Sequence, residues 1–295
     1  MDRPVGAAPG VSVVVVSHNE GENLGRTVDS LLAALPDDAE VVVVDDVSTD
    51  GSIEALPEGR VRVVRPEARL GIAAARNLGA ARSRGEVLVF SDAHVDVPPG
   101  FLGPLLDELR RPWVAAVGPA VSTRDDPRAK GYGFRWRDAA LNIEWLSHQG
   151  ADPYPVPMLV GCFLAVRRDA FEAVGGFDAD LIVYGYEDAE FCMRLWVLGY
   201  ECRLVPEVDV THLFRASHPY EVDREAILHN LLRVAVVHFG AERIRRVVGC
   251  LRGQDALPSA FARLVDGNAW ERRRQVRAAR THDDEWYCRK FHMHW

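Results

Sequence analysis

The chain has 295 residues, of which 48% are hydrophobic and 26% charged, and its formal net charge is −8. This length allows one sizeable core with an appendage, and the acidic balance argues against nucleic acid as a partner. The five cysteines form no C-x-x-C pair, which argues against a disulfide framework or a zinc knuckle. Residues 1–10 lack a signal-peptide pattern, and no apolar run is long enough to span a bilayer. We therefore expect a cytoplasmic protein without an integral membrane segment.

Strands and helices alternate in the first part of the chain. Two runs of branched apolar residues, 11–16 and 41–44, are typical of strands buried on both faces of a parallel sheet. Between them, residues 23–35 carry apolar side chains at helical spacing, which completes a β-α-β unit. The pattern continues with strands predicted at 61–64, 86–91 and 114–121, and with helices at 72–82 and 99–110. This alternation predicts a wound α/β sheet.

The second part of the chain breaks this rhythm. Residues 123–156 form a long irregular stretch with many aromatic and charged residues, and such stretches are usually functional or mobile. The later predictions are a strand at 158–166, a helix at 189–198, a strand at 201–205, helices from residue 222 and an aromatic tail at 283–295. The irregular stretch and the tail are candidates to shape an acceptor pocket or to close over a donor. For the tail, packing against its own domain is an equal alternative.

These patterns divide the chain into two parts. We expect a first domain over residues 8–218 and a helical C-terminal extension over residues 219–295. The arginine-rich residues 272–280 in the extension are interpreted as a solvated helix face, in preference to a contact with lipid or nucleic acid.

Polar residues cluster where the predicted strands end: Ser17, His18, Asn19 and Glu20; Asp45 and Asp46; and Asp92 and His94. Ligands of wound sheets bind beyond the carboxyl ends of the strands. Acidic groups there can accept hydrogen bonds from a base N–H or a ribose hydroxyl. The alternative for the second cluster is a helix cap followed by turn residues.

The pair Asp92 and His94 suits a metal ion, because two side chains two positions apart at a strand exit can turn toward one point. A divalent cation neutralises a diphosphate leaving group without proton transfer, and oxygen with imidazole ligation suits manganese better than magnesium. So short a pattern is weak evidence by itself. His212 would strengthen it only by folding back to the same ion.

Two adjacent carboxylates, Glu187 and Asp188, precede a predicted amphipathic helix. Carboxylates near a helix N-terminus are favoured electrostatically, so a capping role is one interpretation. The other is a general base that accepts the proton of an acceptor hydroxyl.

Taken in order, these pieces resemble the family 2 glycosyltransferases, which have the GT-A fold. The resemblance rests on Val13 to Glu20, Asp45-Asp46, Gly71 to Gly79, Asp92-Ala-His94, Gly161 to Val166 and Glu187-Asp188. The Asp-x-His pattern and the segment His212-Leu-Phe-Arg215 resemble the polypeptide N-acetylgalactosaminyltransferases in particular.

The resemblance implies a GT-A wound mixed sheet and a nucleotide-sugar donor, with UDP favoured. It also implies Mn²⁺ or Mg²⁺ held by Asp92, His94 and His212. Asp46 would contact the nucleobase. The other residues of the implied nucleotide-sugar pocket are Ser17, His18, Glu20, Arg76 and Asp92, with Arg76 also stabilising the departing diphosphate.

One departure bears on stereochemistry. The resembled retaining enzymes have Glu-Asn where this chain has Glu187-Asp188, the pair that inverting family 2 enzymes carry. We therefore expect inversion, with Asp188 as base and Glu187 orienting the acceptor. Alternatives are a retaining transferase of the N-acetylgalactosaminyl type, a polyprenyl-phosphate sugar transferase and a donor-binding scaffold without catalysis. The acceptor stays open between peptide, saccharide and small natural product, as does the oligomeric state.

Overall fold

The structure is a computed structural model that describes residues 10–57, 59–215 and 223–295. Within these ranges the strands are β1 Val11–Ser17, β2 Glu40–Asp45, β3 Val61–Val64, β4 Val87–Asp92, β5 Val95–Asp96, β6 Val114–Thr123, β7 Lys130–Gly131, β8 Phe134–Trp136, β9 Ile143–Trp145, β10 Tyr154–Pro155, β11 Phe163–Arg167 and β12 Glu201–His212. The helices are α1 Glu22–Ala34, α2 Ile72–Arg82, α3 Leu102–Leu109, α4 Arg168–Ala173, α5 Glu187–Val197, α6 Arg224–His238, α7 Ala241–Cys250, α8 Leu257–Asp266, α9 Ala269–Ala279 and α10 Asp284–Lys290.

One large sheet organises the first part of the chain. Its main path runs β3-β2-β1-β4-β11-β6-β12-β10. The strands β3, β2, β1 and β4 are parallel neighbours, whereas β11 is antiparallel to both β4 and β6. The predicted wound α/β sheet is therefore confirmed, and it is mixed.

Helices cover both faces of this sheet because alternate residues of the apolar strands point to opposite sides. On one face Val13 and Val15 pack with the apolar side of α1 and α3. On the other face Val14 packs against α2. The approach of α2 is close, since a Cβ atom on Gly79 would lie 2.2 Å from Cγ1 of Val14.

Two strands differ from their predicted extents in ways that position functional residues. The strand predicted at 201–205 does not end there: β12 resumes pairing with β6 after a register shift between Val205 and Asp209 and runs to His212. A bulge leaves no periodic signature in the sequence, which explains the short prediction. The strand predicted at 158–166 begins only at Phe163, because Gly161 lies in the loop before it and packs against Asp188.

The C-terminal region is helical, as predicted. The helix α6 is buried along most of its length, and α7, α8 and α9 pack around it. The aromatic tail packs against the sheet domain: Tyr287 Oη donates to the carbonyl of Pro157 at 3.0 Å, and Trp295 Nε1 donates to that of Trp136 at 3.2 Å. None of the described helices is long and apolar enough to cross a membrane. The predicted boundary at residues 218 and 219 lies outside the described residues.

Candidate active site

Asp92, His94 and His212 meet at one edge of the sheet. Asp92 ends β4, His94 lies two residues further, and His212 ends β12. The short strand β5 pairs with the last residues of β12, with His212 opposite Val95, and this pairing brings the two chain segments together. One ligand atom from each residue lies within 4.8 Å of the others, and the centroids of the two imidazole rings are 4.7 Å apart.

The chemistry of this cluster fits a divalent ion. His212 is buried: its Nε2 lies 3.5 Å from Oδ2 of Asp92, and its Nδ1 has no hydrogen-bond partner among the described residues. Burial disfavours the charged form of Asp92, but His212 and Arg76 outweigh it and hold the pKa of this carboxyl well below its usual range. An ionised carboxylate beside two imidazoles is a donor set that manganese accepts.

An ion pair between the buried Glu20 and the half-buried Arg215 lies beside the cluster. Oε1 of Glu20 lies 3.2 Å from Nδ1 of His94, and both oxygens of Glu20 accept hydrogen bonds from Arg215. Burial raises the pKa of Glu20, but the bonds from His94 and Arg215 outweigh it and lower the pKa overall. A carboxylate beside a metal-binding histidine fixes the ring orientation and tautomer. The structure thus places Glu20 beside the metal cluster, whereas the sequence predicts a place in the nucleotide pocket.

Arg76 lies beneath the site and is only 1% exposed. Its Nη2 donates to Oδ1 of Asp92 at 3.0 Å and to the carbonyl of Gly161 at 2.6 Å, and its Nη1 donates to Oε1 of Glu187 at 3.3 Å. This geometry gives Arg76 a positioning role between two carboxylates. Its predicted contact with the nucleotide stays a prediction.

Asp188 lies in the first turn of α5, half-buried, with Gly161 directly against it. Its Oδ2 accepts a hydrogen bond from the backbone N–H of Gly161 at 2.9 Å, and its Oδ1 accepts one from that of Ala189 at 2.7 Å. Burial raises the pKa of Asp188 despite these bonds, which makes the carboxylate a stronger base than an exposed one. The position of Asp188 in the first turn is therefore compatible with both a capping role and a role as general base.

Glu187 points toward the interior. Its Oε1 faces Arg76, and its Oε2 accepts a hydrogen bond from the backbone N–H of Gly185 at 3.0 Å. Burial and the adjacent charge of Asp188 raise its pKa to about 7. With both oxygens occupied in the interior, Glu187 supports the loop before α5, and its predicted contact with the acceptor stays a prediction.

The predicted nucleotide rim lies at the same edge of the sheet. Both carboxylate oxygens of Asp46 accept backbone hydrogen bonds, from Leu70 at 2.7 Å and from Gly71 at 3.0 Å, so Asp46 holds the loop that leads into α2. Nδ1 of His18 is 2.8 Å from the carbonyl oxygen of Asp46. Ser17 is buried, and its Oγ has no hydrogen-bond partner among the described residues. The nucleobase contact of Asp46 stays a prediction.

Three features of the site were not predicted. Arg215 ends the segment used for the resemblance, but nothing in the sequence shows that it pairs with Glu20. Gly161 also belongs to a recognised segment, and its close approach to Asp188 is visible only in three dimensions. The third is an exposed aromatic pair: the ring centroids of Trp145 and Phe214 are 6.0 Å apart, and that of Phe214 is 4.3 Å from that of His212.

Comparison with known proteins identifies the family. The model of glycosyl transferase family 2 matches residues 12–175, more than half of the chain, and a model described as the N-terminal domain of galactosyltransferase matches residues 147–219. Polypeptide N-acetylgalactosaminyltransferase 5 of Caenorhabditis elegans is 32% identical over 260 residues, which is 78% of this chain and 41% of the relative. Polypeptide N-acetylgalactosaminyltransferase 3 of Drosophila melanogaster is 30% identical over 262 residues, 78% of this chain and 39% of the relative.

A solved structure supports the fold. The crystal structure of GalNAc-T7 with UDP, GalNAc and Mn²⁺ aligns with a TM-score of 0.79 at 23% sequence identity, covering 97% of this chain and 57% of that one. This likeness confirms the predicted GT-A fold. The chain spans about two fifths of the length of the curated relatives it matches. Because the family model covers more than half of its residues, the chain belongs to glycosyl transferase family 2.

Proposed function

We propose that this protein transfers a sugar from a nucleotide-diphosphate donor, with UDP-sugar the first to test, to an acceptor hydroxyl. The observation that carries the proposal is the cluster of Asp92, His94 and His212, which Arg76 and Gly161 connect to Asp188 through hydrogen bonds. The first three provide an ion site and the last a base, which are the two devices that transfer from a diphosphate requires.

Asp92, His94 and His212 would hold Mn²⁺, or Mg²⁺ in its place. Bound there, the ion would supply positive charge to the diphosphate as it departs. Support comes from the lowered pKa of Asp92 and from the imidazole nitrogens of His94 and His212, which lie within 4.8 Å of its carboxylate. The structural relative GalNAc-T7 was solved with UDP and Mn²⁺, which makes this donor and this ion the first choice for experiments.

Asp188 would take the proton of the acceptor hydroxyl in a single in-line displacement, which inverts the anomeric centre. Its position in the first turn of α5, its half-buried setting and its raised pKa support this role. Arg76 would hold the carboxylates of Glu187 and Asp92 in place, and the backbone N–H of Gly161 would hold that of Asp188.

The comparisons favour a second candidate. The matching relatives are named polypeptide N-acetylgalactosaminyltransferases, and the sequence resemblance associates that group with retention. On this alternative the chain would move N-acetylgalactosamine to a peptide hydroxyl with its anomeric configuration kept. NMR of the first-formed product distinguishes the two, because the proposed inversion turns an α-linked donor into a β-linked product.

The acceptor is best sought first among peptides that carry serine or threonine. The names of the relatives point to this class, and the exposed rings of Trp145 and Phe214 provide an apolar surface beside His212. Saccharide and small natural-product acceptors belong in the same screen.

The test is a panel of nucleotide sugars incubated with the protein, with and without Mn²⁺, scored for donor hydrolysis and for a rise in melting temperature. We expect a UDP-sugar to give both signals only with the ion. Donor binding that ignores the metal would contradict the ion site. Metal-dependent binding with neither donor hydrolysis nor transfer to any tested acceptor would instead indicate a donor-binding scaffold.

A further inference from the structure

Charge is distributed unevenly along the chain. Residues 223–295 contain 14 arginine and lysine residues against nine acidic ones, whereas residues 1–222 contain 21 against 34. The C-terminal helices are therefore basic on a protein that is acidic overall. Such asymmetry between two parts of a chain points to a partner with an anionic surface for the basic part.

The helices of this basic region also expose apolar side chains. On α8, Ala260 and Leu264 are buried, while Phe261 and Val265 are each 49% exposed. These two are four residues apart, so they lie side by side on one flank of the helix. Exposed large apolar residues that share a face indicate an interaction surface.

The next helix repeats this arrangement with arginines. On α9, Trp270 is 45% exposed, and Arg274 and Arg277 follow it at spacings of four and seven residues, on the same side. Arg274 pairs with Glu271, and Arg277 has no ion-pair partner among the described residues. Tryptophan and arginine on one side are typical of a helix that contacts a lipid surface, because the ring enters the interface while the guanidinium meets the headgroups.

We propose that α8 and α9 form a docking surface for a membrane that contains anionic lipids. Phe261, Val265, Trp270, Arg274 and Arg277, together the basic aromatic face, would contact it. The face revises the interpretation of residues 272–280 as a merely solvated helix surface, because three large apolar side chains accompany the arginines. Docking would be peripheral. It is independent of donor chemistry, since none of these residues belongs to the candidate active site.

A lipid surface fits better than the other possible partners. Nucleic acid would use the arginines, but it would leave the aliphatic Val265 and the apolar row of α8 without a role. A second copy of the chain would bring basic helices against basic helices in a symmetric contact, which is unfavourable. Anionic lipid satisfies both components, with headgroup phosphate for the arginines and the acyl boundary for the apolar side chains.

Sedimentation with vesicles tests the proposal on the full chain. Vesicles of phosphatidylcholine alone are compared with vesicles that also contain phosphatidylglycerol, at low and high salt. We expect binding to the anionic vesicles that weakens by tenfold or more at high salt, and little binding to the neutral ones. Absence of binding to anionic vesicles would overturn the proposal.

Two double variants assign the binding to this face. Arg274→Glu with Arg277→Glu is expected to weaken it by at least about 20-fold, since each basic residue near such a surface contributes about fivefold. Phe261→Ser with Val265→Ser is expected to weaken it by about tenfold or more. Matched controls are Arg128→Glu and Val63→Ser, which change exposed residues outside the face and should leave binding unaltered.

Measurements on the same variants distinguish a loss of membrane docking from a loss of folding or of donor binding. Each should keep the melting temperature and the UDP affinity of the original chain, because the substituted side chains are exposed. If the two face variants bind vesicles as well as their controls do, the basic aromatic face is not the docking surface. Self-association that depends on Phe261, measured by light scattering without lipid, would likewise overturn it in favour of an interface between copies.

Discussion

At the scale of single residues, the candidate site holds two carboxylates, Asp92 and Asp188, whose pKa values shift in opposite directions. The pKa of Asp92 is lowered because His212 and Arg76 outweigh the effect of its burial. The pKa of Asp188 is raised because its hydrogen bonds from Gly161 and Ala189 do not outweigh burial. Two carboxylates at one sheet edge thus have opposite tendencies, one toward binding a cation and the other toward accepting a proton. Opposed pKa shifts of this kind are a recurrent sign of divided roles in a site.

The first prediction concerns Glu20. Replacing it with glutamine removes the charge beside His94 and takes the ion-pair partner from the half-buried guanidinium of Arg215. We expect Mn²⁺ affinity to fall about 10- to 100-fold. Mn²⁺ titration followed by electron paramagnetic resonance measures this without any assay of turnover. Glu22→Gln, an exposed carboxylate two residues away, is the control, and equal affinities for the two variants would contradict the role of Glu20.

The second prediction concerns Asp188. Asp188→Asn should bind UDP and Mn²⁺ as the original chain does but lose about 10²- to 10⁴-fold in kcat, because an amide cannot accept the acceptor proton. Asp107→Asn, in the exposed part of α3, should change neither value. Turnover that survives in Asp188→Asn would show that another group, or a retaining route, does the chemistry.

The third prediction is the pH dependence of the same step. Only ionised Asp188 can act as a base, and burial raises its pKa above the value of 3.8 for an unperturbed carboxyl. As pH falls through this raised pKa, kcat should fall, so the acidic limb of the profile should lie above pH ~4. Measurement of kcat at saturating metal locates the limb. A profile flat down to pH 4 would argue against Asp188 as the base.

At the scale of elements, loops adjacent to strands set the positions of the catalytic candidates. The loop before β11 brings the backbone of Gly161 against Asp188, and it also gives Arg76 a carbonyl to bind. A Cβ atom on Gly161 would lie 2.9 Å from Cβ of Asp188, so no larger residue fits without displacing α5 or the loop.

The fourth prediction tests this contact. Gly161→Ala should move Asp188 by a fraction of an ångström and lower kcat by about 10- to 100-fold, because small misplacements at a reacting centre are costly. Donor affinity should change little. Gly103→Ala on α3 is the matched control, since a Cβ atom there would meet no atom within 4 Å. Equal kcat values for the two variants would show that the loop before β11 can move to accommodate a methyl group without displacing Asp188.

The sequence predicted elements far better than the contacts between them. Branched apolar runs and helical spacing identified β1, β2, α1 and α2 within a few residues, because burial on both sides of a sheet constrains composition. The bulge in β12 was not predicted, since extra residues in a strand produce no periodic pattern in the sequence. The site residues were identified by resemblance, whereas the buried place of Arg76 and the pairing of Glu20 with Arg215 depend on tertiary packing that no local pattern encodes.

At the scale of the whole molecule, a buried ion-pair network joins α6 to the sheet domain. Arg233 is 1% exposed and donates to both carboxylate oxygens of Asp178 at 2.8 Å, to Asp180 at 3.0 Å and to Asn268 at 2.7 Å. It therefore ties the loop before α5 to α6 and to the residue that precedes α9. With such a joint we expect the helical extension and the sheet domain to unfold together.

The fifth prediction follows from that joint. Arg233→Met should lower the free energy of unfolding by about 3–5 kcal/mol, because it leaves the buried carboxylate of Asp178 without its ion-pair partner. The control Arg263→Met removes an exposed pair with Glu225 and should cost at most about 1 kcal/mol. Urea unfolding, followed by far-ultraviolet circular dichroism, measures both. Two separate transitions in the original chain would contradict the expected cooperativity.

The register shift in β12 also has a consequence for the order of events during folding. Asp92 and His94 leave the ribosome long before His212, and the segment that matches the family model ends at residue 175. The ion site therefore cannot exist until the last large strand has paired with β6 past its bulge and met β5. Ion capture should lag behind helix formation in refolding experiments. The time at which a paramagnetic ion binds during refolding would then report when the sheet is complete.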